Sequence, residues 1–301
     1  MRRIPVVPTR REHWDTPDGD VLDIERLDAP AGSPRLVLLH GLEGTVRSHY
    51  VQGTLAEAAR RGWGADLVLF RSCGGTLNRA RRFYHSGETE DLALAVERIV
   101  REFPAAPIVM AGFSLGGNVL LKYLGERGDA VPAAIRAAAA VSVPFDLDRG
   151  ATHIDQGFAR VYQASFMKSL KRKAYAKLAL YPDLCDRERL DAVRSLREFD
   201  ELVTAPLHGF ASAVDYYTQS SALRFLGGIR RPTLLLSAID DPFLPPAVLD
   251  DVRAEARANP ALTIEFVREG GHVGFISGTV PWRAVYYAEQ RVGDFLAQTV
   301  R

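Results

Sequence analysis

Ser114 lies in Gly112-Phe-Ser-Leu-Gly116, a spacing typical of a serine on a tight turn between a strand and a helix. An apolar, β-branched run precedes this segment and a helical pattern follows it. The flanking glycines remove side chains that would crowd such a turn. The serine oxygen would then lie at the positive end of the following helix. We interpret Ser114 as a nucleophile; the alternative is a helix-capping serine in an ordinary glycine turn.

Two later residues could activate this serine. A serine hydroxyl attacks a carbonyl carbon only when a base takes its proton, and the base needs a third group that fixes its tautomer. His272 follows a predicted strand and lies among glycines, so its loop can approach Ser114 closely. Asp241 follows another predicted strand and is our choice for the third group. Asp240 is the alternative; otherwise we expect it to bond backbone amides of its own turn.

Acyl transfer also requires N–H donors directed at the oxyanion of the intermediate. The amide of Leu115, directly after the nucleophile, is the first predicted donor. The second is the amide of Leu42 in the loop His40-Gly-Leu-Glu-Gly44, which follows a predicted strand. The alternative for this loop is an ordinary glycine turn. We expect His40 to bond within the loop rather than to act as a base.

The elements that would position these residues alternate short apolar runs with helical patterns, which indicates a parallel sheet connected by helices. The runs are almost continuously hydrophobic, so we expect strands that are buried on both faces. A hairpin with a Pro-Asp-Gly turn is expected at 14–26. Ser86 is a candidate N-cap of the second helix. We predict strands at 36–39, 66–70, 108–111, 138–143, 233–237 and 263–267, and helices at 54–61, 88–102, 117–126, 246–258 and 282–298.

The alternation stops between about residues 145 and 226, where we find only helical pattern and charge. Apolar residues recur there every four positions, and five cations lie off that stripe. Because the segment follows the nucleophile and separates two strands, we predict a helical cap inserted into a single domain of residues 1–301. We interpret the cations as a solvated helix face; contact with anionic lipid is the alternative. The stripe is Phe158, Tyr162, Phe166, Leu170, Ala174 and Leu178, and the cations are Lys168, Lys171, Arg172, Lys173 and Lys177.

Composition excludes several classes of protein. The 301 residues carry a net charge of +1, which gives no reason to expect a nucleic-acid partner. No apolar run is long enough for a membrane span, and the N-terminus lacks the apolar region of a signal peptide. Two cysteines provide no disulfide framework, so we expect a reduced, cytoplasmic setting. We expect no cofactor and no metal, since Cys73-Gly-Gly-Thr-Leu-Asn78 lacks a phosphate-loop ending and His40, His49 and His85 lack zinc-ligand spacing.

Several segments together resemble one branch of the α/β-hydrolase superfamily: bacterial esterases related to fungal medium-chain ethyl-ester synthase/esterases and to animal abhydrolase-domain lipases. The resemblance implies an eight-stranded, mostly parallel sheet with helices on both faces, and a triad of Ser114, Asp241 and His272 that acts on carboxylic esters. It also marks His85 and Glu88 as part of a recurrent segment, which we expect to pack below the site. The matching segments are His40-Gly-Leu-Glu-Gly44, Phe70-Arg-Ser-Cys-Gly-Gly-Thr-Leu-Asn78, Tyr84-His-Ser-Gly-Glu-Thr-Glu-Asp91, Gly112-Phe-Ser-Leu-Gly-Gly-Asn118, Asp215-Tyr-Tyr217, Asp240-Asp-Pro-Phe243 and Gly270-Gly-His-Val-Gly274.

The sequence therefore predicts a cofactor-independent serine ester hydrolase. Short- to medium-chain acyl esters are the expected substrates, because a helical cap should supply an apolar acyl pocket. Peripheral contact with a membrane and the oligomeric state stay open. One alternative function is an acyltransferase, in which an alcohol replaces water as the second nucleophile. The other is a non-catalytic binding protein on the same fold.

Overall fold

The computed structural model of the chain describes residues 6–157, 159–277 and 285–300. An eight-stranded sheet forms its centre, and the six strands that follow the N-terminal hairpin in the sheet order correspond to the six predicted apolar runs. A separate two-stranded sheet lies near the C-terminus. The strands are β1 (Arg10–Asp15), β2 (Val21–Leu27), β3 (Arg35–Leu39), β4 (Gly64–Leu69), β5 (Ile108–Phe113), β6 (Ile135–Val141), β7 (Thr233–Ala238), β8 (Leu262–Val267), β9 (Ile276–Ser277) and β10 (Val285–Tyr286).

The large sheet has the order β1-β2-β4-β3-β5-β6-β7-β8. The β1–β2 and β2–β4 pairs are antiparallel, and the other five pairs are parallel. The prediction of an eight-stranded, mostly parallel sheet is therefore confirmed. The expected N-terminal hairpin is also present, as the antiparallel pair β1 and β2.

Helices connect and cover these strands. Within the described ranges, we find no helix that has both the length and the apolar character needed to cross a bilayer. A π-helical turn at Asp200–Thr204 joins the seventh helix to the eighth, and 3-10 turns lie at Gly128–Ala130 and Ala222–Gly228. The α-helices are α1 (His49–Arg60), α2 (Glu90–Glu102), α3 (Leu115–Arg127), α4 (Leu147–Ile154), α5 (Ala159–Leu178), α6 (Arg187–Ala192), α7 (Leu196–Phe199), α8 (Ala205–Leu207), α9 (Ala213–Ser220), α10 (Pro246–Ala258) and α11 (Tyr287–Ala297).

The sheet is buried on both faces because successive side chains of each strand enter different cores. On β3, Val37 and Leu39 pack with residues of α2, α3 and α10. Their neighbours Leu36 and Leu38 pack on the other face with residues of α1 and α11. The prediction of helices on both faces is confirmed, and this arrangement leaves the carboxyl ends of the central strands for the loops that follow them.

Several predicted helix boundaries differ from the structure. Helix α1 begins at His49 rather than at residue 54, because Tyr50 and Val51 are buried and tertiary packing extends the helix. The prediction that Ser86 caps α2 is wrong: Thr89 precedes the helix, and the Ser86 amide instead donates to the Tyr216 hydroxyl. Of the last predicted helix, residues 282–284 lie outside the described residues and the next two form β10.

Helices α4 to α9 all lie between β6 and β7, and the described residues of this insertion contain no strand. The apolar stripe predicted for α5 matches its buried face only in part: Ala174 is buried, and Leu170 and Leu178 pack against the core of the insertion. Tyr162 is 45% exposed, whereas Gln163 and Met167 are buried. The apolar repeat misleads because α5 packs against other insertion helices on one side and borders a cavity on another. Phe158, the first residue of the predicted stripe, lies outside the described residues.

The cations of α5 are not a uniformly solvated face, so that expectation is wrong for three of them. Lys177 is buried and donates to the carbonyls of Asn78, at 2.7 Å, and Ala80. Lys171 donates to the backbone carbonyls of Asp191 and Val193 at the end of α6, and Lys173 reaches a carboxylate of the His40–Gly44 loop. Long lysine stems allow an off-stripe ammonium group to bond inward.

Candidate active site

Ser114 occupies the turn between β5 and α3 in a strained conformation. Its φ of 53° is in the left-handed region, which a residue with a side chain adopts only when its surroundings hold it there. The Ser114 amide donates to the carbonyl of Val141 at 2.8 Å. A Cβ on Gly116 would lie 2.4 Å from the carbonyl oxygen of His40, so this position accepts glycine alone without a shift of the backbone. The turn fixes the serine at the carboxyl edge of the sheet.

Ser114, His272 and Asp241 form a continuous hydrogen-bonded row. The Nε2 atom of His272 lies 2.9 Å from the Ser114 oxygen. Its Nδ1 atom lies 2.9 Å from Oδ2 and 3.1 Å from Oδ1 of Asp241. Because a carboxylate can only accept, Nδ1 carries the proton and Nε2 has the lone pair that accepts the serine hydroxyl. This arrangement can remove a proton from Ser114 and stabilise the resulting imidazolium.

The two adjacent aspartates have different partners. Asp241 is buried, and besides His272 its Oδ1 accepts the amide of Phe243 at 2.9 Å. Asp240 is exposed, and its Oδ1 accepts the amides of Gly270 and Gly271, both at 2.9 Å. Asp241 therefore contacts the imidazole, whereas Asp240 holds the backbone of the loop that carries it.

Further contacts restrict the histidine loop. Val273, directly after His272, has a φ of 52° and donates its amide to the Ser142 hydroxyl at 3.1 Å. The Phe243 ring lies against the imidazole, with 4.2 Å between ring centroids. Backbone bonds on one side and a ring contact on the other limit the rotation of His272, which keeps both ring nitrogens directed at their partners.

Two amides beside Ser114 are free to bind an oxyanion. The Leu115 amide is the first of α3 and has no acceptor within the helix. In the Gly41–Gly44 loop, the other three amides donate to the Tyr50 hydroxyl, the Tyr84 hydroxyl and the Gly41 carbonyl. The Leu42 amide alone has no acceptor in the part of the chain that the structure describes. A Cβ on Gly41 would lie 3.1 Å from the Ser114 Cβ, so this loop directly faces the serine.

His40 lies within the same loop and bonds to its backbone. Its Nδ1 lies 2.7 Å from the Gly41 carbonyl oxygen, and its Nε2 accepts the amide of Phe70 at 3.1 Å. Burial lowers the pKa of His40 to about 4, so the ring is neutral at pH 7. Both nitrogens are engaged, which leaves His272 as the ring that contacts Ser114.

A largely apolar cavity opens at this site. Ser114 and His272 line it, and helices α4, α5 and α7 of the insertion supply much of its wall. Such a wall suits an acyl chain, because transfer of each methylene out of water is favourable. The apolar lining includes Leu115, Leu147, Ile154, Phe166, Leu170 and Phe199.

The same cavity has polar residues that the sequence analysis did not single out. His208 follows α8, and its ring centroid lies 4.4 Å from that of His85. Burial raises the pKa of Asp200 to about 6, and this carboxyl accepts the hydroxyls of Thr204 and Tyr217. The contact between His85 and His208 joins distant parts of the sequence, which hid it. His85 lines the same cavity as Ser114, so the expectation that it packs below the site is wrong.

His85, Glu88 and His208 bring three potential metal-ligand atoms within 4.8 Å of one another. His85 and Glu88 already use their lone pairs, whereas His208 Nε2 is buried and has no hydrogen-bond partner among the described residues. The Nδ1 atom of His85 accepts the Gly87 amide, which leaves the proton on Nε2. Glu88 accepts the Arg82 guanidinium at 3.0 Å through Oε2, and its other oxygen accepts a backbone amide. A cation would have to displace these bonds, so the arrangement suits hydrogen bonding better than metal coordination.

Comparison with known proteins agrees with this architecture. Residues 34–279 match the model of the alpha/beta hydrolase fold family. The chain is 42% identical to YheT of Escherichia coli (strain K12), a provisionally named esterase, over 95% of this chain and 84% of that protein. It is 31% identical to a monoacylglycerol lipase of Saccharomyces cerevisiae over 93% of this chain, but it spans 62% of that longer relative.

Among solved structures, Pyrococcus furiosus esterase PF2001 has the same fold. The TM-score is 0.64 at 18% identity, over 98% of this chain and 91% of that one. The family match covers the strands from β3 to β8 and every residue of the row described above. On this match and on the identity to YheT, the chain belongs to the α/β-hydrolase family, with esterases and lipases among its relatives.

Proposed function

We propose that this chain is a serine carboxylic-ester hydrolase that acts on short- to medium-chain acyl esters through an acyl-enzyme intermediate. The observation that carries the proposal is the hydrogen-bonded row from Ser114 through His272 to Asp241, which borders an apolar cavity. The names of the two relatives, an esterase and a monoacylglycerol lipase, support esters as the substrate class. We also propose that residues 145–226 are the cap of a single domain that comprises residues 1–301.

In the acylation step, the Ser114 oxygen attacks the ester carbonyl carbon while His272 Nε2 takes the hydroxyl proton. The carbonyl oxygen becomes an oxyanion, which the amides of Leu42 and Leu115 bind. Asp241 stabilises the imidazolium that has formed. The intermediate then breaks its bond to the alcohol oxygen, and the alcohol leaves with the proton from His272.

In the deacylation step, water attacks the acyl-enzyme while His272 again acts as the base. The carboxylic acid leaves, and the proton returns to the serine oxygen. The apolar wall of the cavity binds the acyl chain through both steps. A longer chain within the reach of the cavity should therefore react with a higher kcat/KM.

Labelling with a fluorophosphonate, combined with hydrolysis of p-nitrophenyl esters of two to twelve carbons, tests the proposal. We expect Ser114→Ala to abolish both labelling and hydrolysis, and Ser33→Ala, in the loop before β3, to leave both unchanged. A folded wild type that is neither labelled nor active would refute the enzyme and favour a binding protein. Formation of a new ester from an added alcohol, in preference to the acid, would assign an acyltransferase instead.

A further inference from the structure

We propose that helix α5 couples acyl-chain binding to the oxyanion hole. In this proposal, Lys173 and Ser169 hold the Glu43 carboxylate, and Glu43 in turn holds the neighbouring Leu42 amide in its productive position. Lys173 and Glu43 both line the cavity, and in this proposal they are positioning residues that act through Leu42. The inference rests on the proposed ester hydrolysis and adds to it a way for the insertion to control the chemical step.

The first support is the backbone of the oxyanion loop. Glu43 has a φ of 56°, a conformation that costs free energy for a residue with a side chain. Its amide donates to the Tyr84 hydroxyl at 2.9 Å, and that hydroxyl donates to Glu43 Oε1 at 2.8 Å. The peptide unit between Leu42 and Glu43 carries the Leu42 carbonyl and the Glu43 N–H, and only the φ and ψ angles of Leu42 separate it from the Leu42 N–H. The direction of the Leu42 amide therefore depends on what holds Glu43 in the left-handed region.

The second support is the contact with α5. Lys173 Nζ lies 2.6 Å from Glu43 Oε1, and the Ser169 hydroxyl donates to Oε2. The two charged side chains are only 14% and 9% exposed. Lys173 also lies 3.2 Å from the Cys73 sulfur. Burial by itself would raise the pKa of Glu43, but the charge and hydrogen bond of Lys173, together with hydrogen bonds from Ser169 and Tyr84, outweigh burial and lower that pKa, so the carboxylate is ionised at neutral pH.

A buried ion pair of this kind fixes geometry more than it adds stability. Its Coulomb attraction is largely offset by the loss of hydration of both charges, yet removal of one partner leaves the other uncompensated. The remaining charge is then more stable in contact with water than in its buried position. For Glu43, such a movement would turn the backbone that carries the Leu42 amide, so the loss of Lys173 should affect the oxyanion more than the fold.

The third support is that the same helix borders the cavity. Phe166 and Leu170 line it and are separated by one helical turn, as are Ser169 and Lys173. An acyl chain packed against the first pair stabilises α5 where the second pair reaches Glu43. The binding energy of the acyl chain then stabilises the transition state more than the bound substrate. It therefore raises kcat and does not only lower KM.

The test compares Lys173→Met with Lys168→Met, an exposed lysine on the same helix whose side chain does not line the cavity. A misplaced catalytic group costs on the order of 100-fold in rate, as does loss of an oxyanion donor. We therefore expect Lys173→Met to lower kcat for p-nitrophenyl octanoate roughly 10- to 100-fold with KM within about threefold. The increase in kcat from the acetyl to the octanoyl ester should also be lost.

A double-mutant cycle measured in kcat adds a further test, because an ion pair that only stabilises the fold would not change kcat. Glu43→Gln and Lys173→Met each break the same contact, so the double variant should have a kcat no lower than that of the poorer single variant. Ser169→Ala removes one donor without leaving an unpaired charge. It covers the case in which Lys173→Met does not fold, and we expect it to reduce kcat about three- to tenfold at constant KM.

Three results would overturn the coupling: a kcat of Lys173→Met within twofold of that of Lys168→Met, a change confined to KM, or kcat losses in the cycle that multiply. An unchanged kcat of Ser169→Ala would also overturn the coupling. None of these results would affect the proposed function, because that is decided by hydrolysis and labelling of the wild type. A wild type without ester hydrolysis would instead refute the proposed function and the coupling together.

Discussion

Replacement of Asp241 by asparagine should remove most of the activity, for a reason that the hydrogen bonds define. The Phe243 amide donates to Asp241 Oδ1, so the asparagine carbonyl oxygen would occupy that position. The asparagine NH2 group would then take the place of Oδ2, which lies 2.9 Å from His272 Nδ1. An N–H donor at that place forces Nδ1 to accept and moves the ring proton to Nε2.

In this tautomer His272 can no longer accept the proton of Ser114. The same substitution in the protease triad lowers kcat about 10⁴-fold through the wrong tautomer, which corresponds to roughly 5 kcal/mol of activation free energy. We expect a loss of this size in kcat/KM for p-nitrophenyl butyrate. The fold should persist, because the substitution preserves side-chain volume and keeps the bond from the Phe243 amide.

Asp240→Asn is the matched control. Its carbonyl oxygen can still accept the amides of Gly270 and Gly271, so we expect activity within about threefold and a stability loss of about 1 kcal/mol from the weaker bonds. Esterase kinetics and thermal unfolding of both variants provide the measurements. If Asp241→Asn keeps more than a tenth of the wild-type kcat/KM, or if Asp240→Asn loses more activity, the assignment of the acid is wrong.

Three further predictions concern the surroundings of the site. Gly116→Ala places a methyl 2.4 Å from the His40 carbonyl oxygen, so it should destabilise the fold by roughly 3 kcal/mol and suppress labelling of Ser114; an unchanged melting temperature would contradict this. Asn118→Leu should cost roughly 3 kcal/mol or more in chemical denaturation, because the buried amide bonds three backbone groups; a cost under about 1 kcal/mol would show that those groups find other partners. Asp200 stays protonated in the fold up to about pH 6, but the unfolded chain loses that proton near pH 3.8. Wild-type stability should therefore fall relative to Asp200→Asn as the pH rises from 4 to 6, and a constant difference in melting temperature would refute the raised pKa.

The sheet and the central row could be predicted because their signals are local. A strand buried on both faces is a short apolar run wherever it occurs, and β3, β5 and β7 were recognised in this way. The turn around Ser114 requires glycines at fixed spacing, and the loops with Asp241 and His272 directly follow strands. Parallel strands end at the same edge of their sheet, so the loops that follow them lie close together. This proximity can be predicted without knowledge of the side-chain contacts.

The predicted helix boundaries were less accurate, because the ends of these helices depend on tertiary contacts. The residues before Gly53 lack a clear helical start, yet burial of Tyr50 and Val51 extends α1 through them. Ser86 has the chemistry of an N-cap, but its backbone serves Tyr216 and Asn118 instead. In both cases, distant contacts outweigh the local preference.

The insertion shows where a periodic pattern fails and why this matters for the site. A hydrophobic repeat predicts which face of a helix is buried only when the helix packs on one side. Helix α5 borders a cavity through Phe166 and also reaches the oxyanion loop through Lys173, so polar and apolar residues are both partly enclosed. The partner of Lys173 is separated from it by 130 residues, and a lysine with an internal partner has the same sequence signature as a solvated one. The basic run therefore suggested water or lipid, whereas three of its cations bond to the protein. That use of charge is the reason why the insertion is expected to influence catalysis as well as substrate binding.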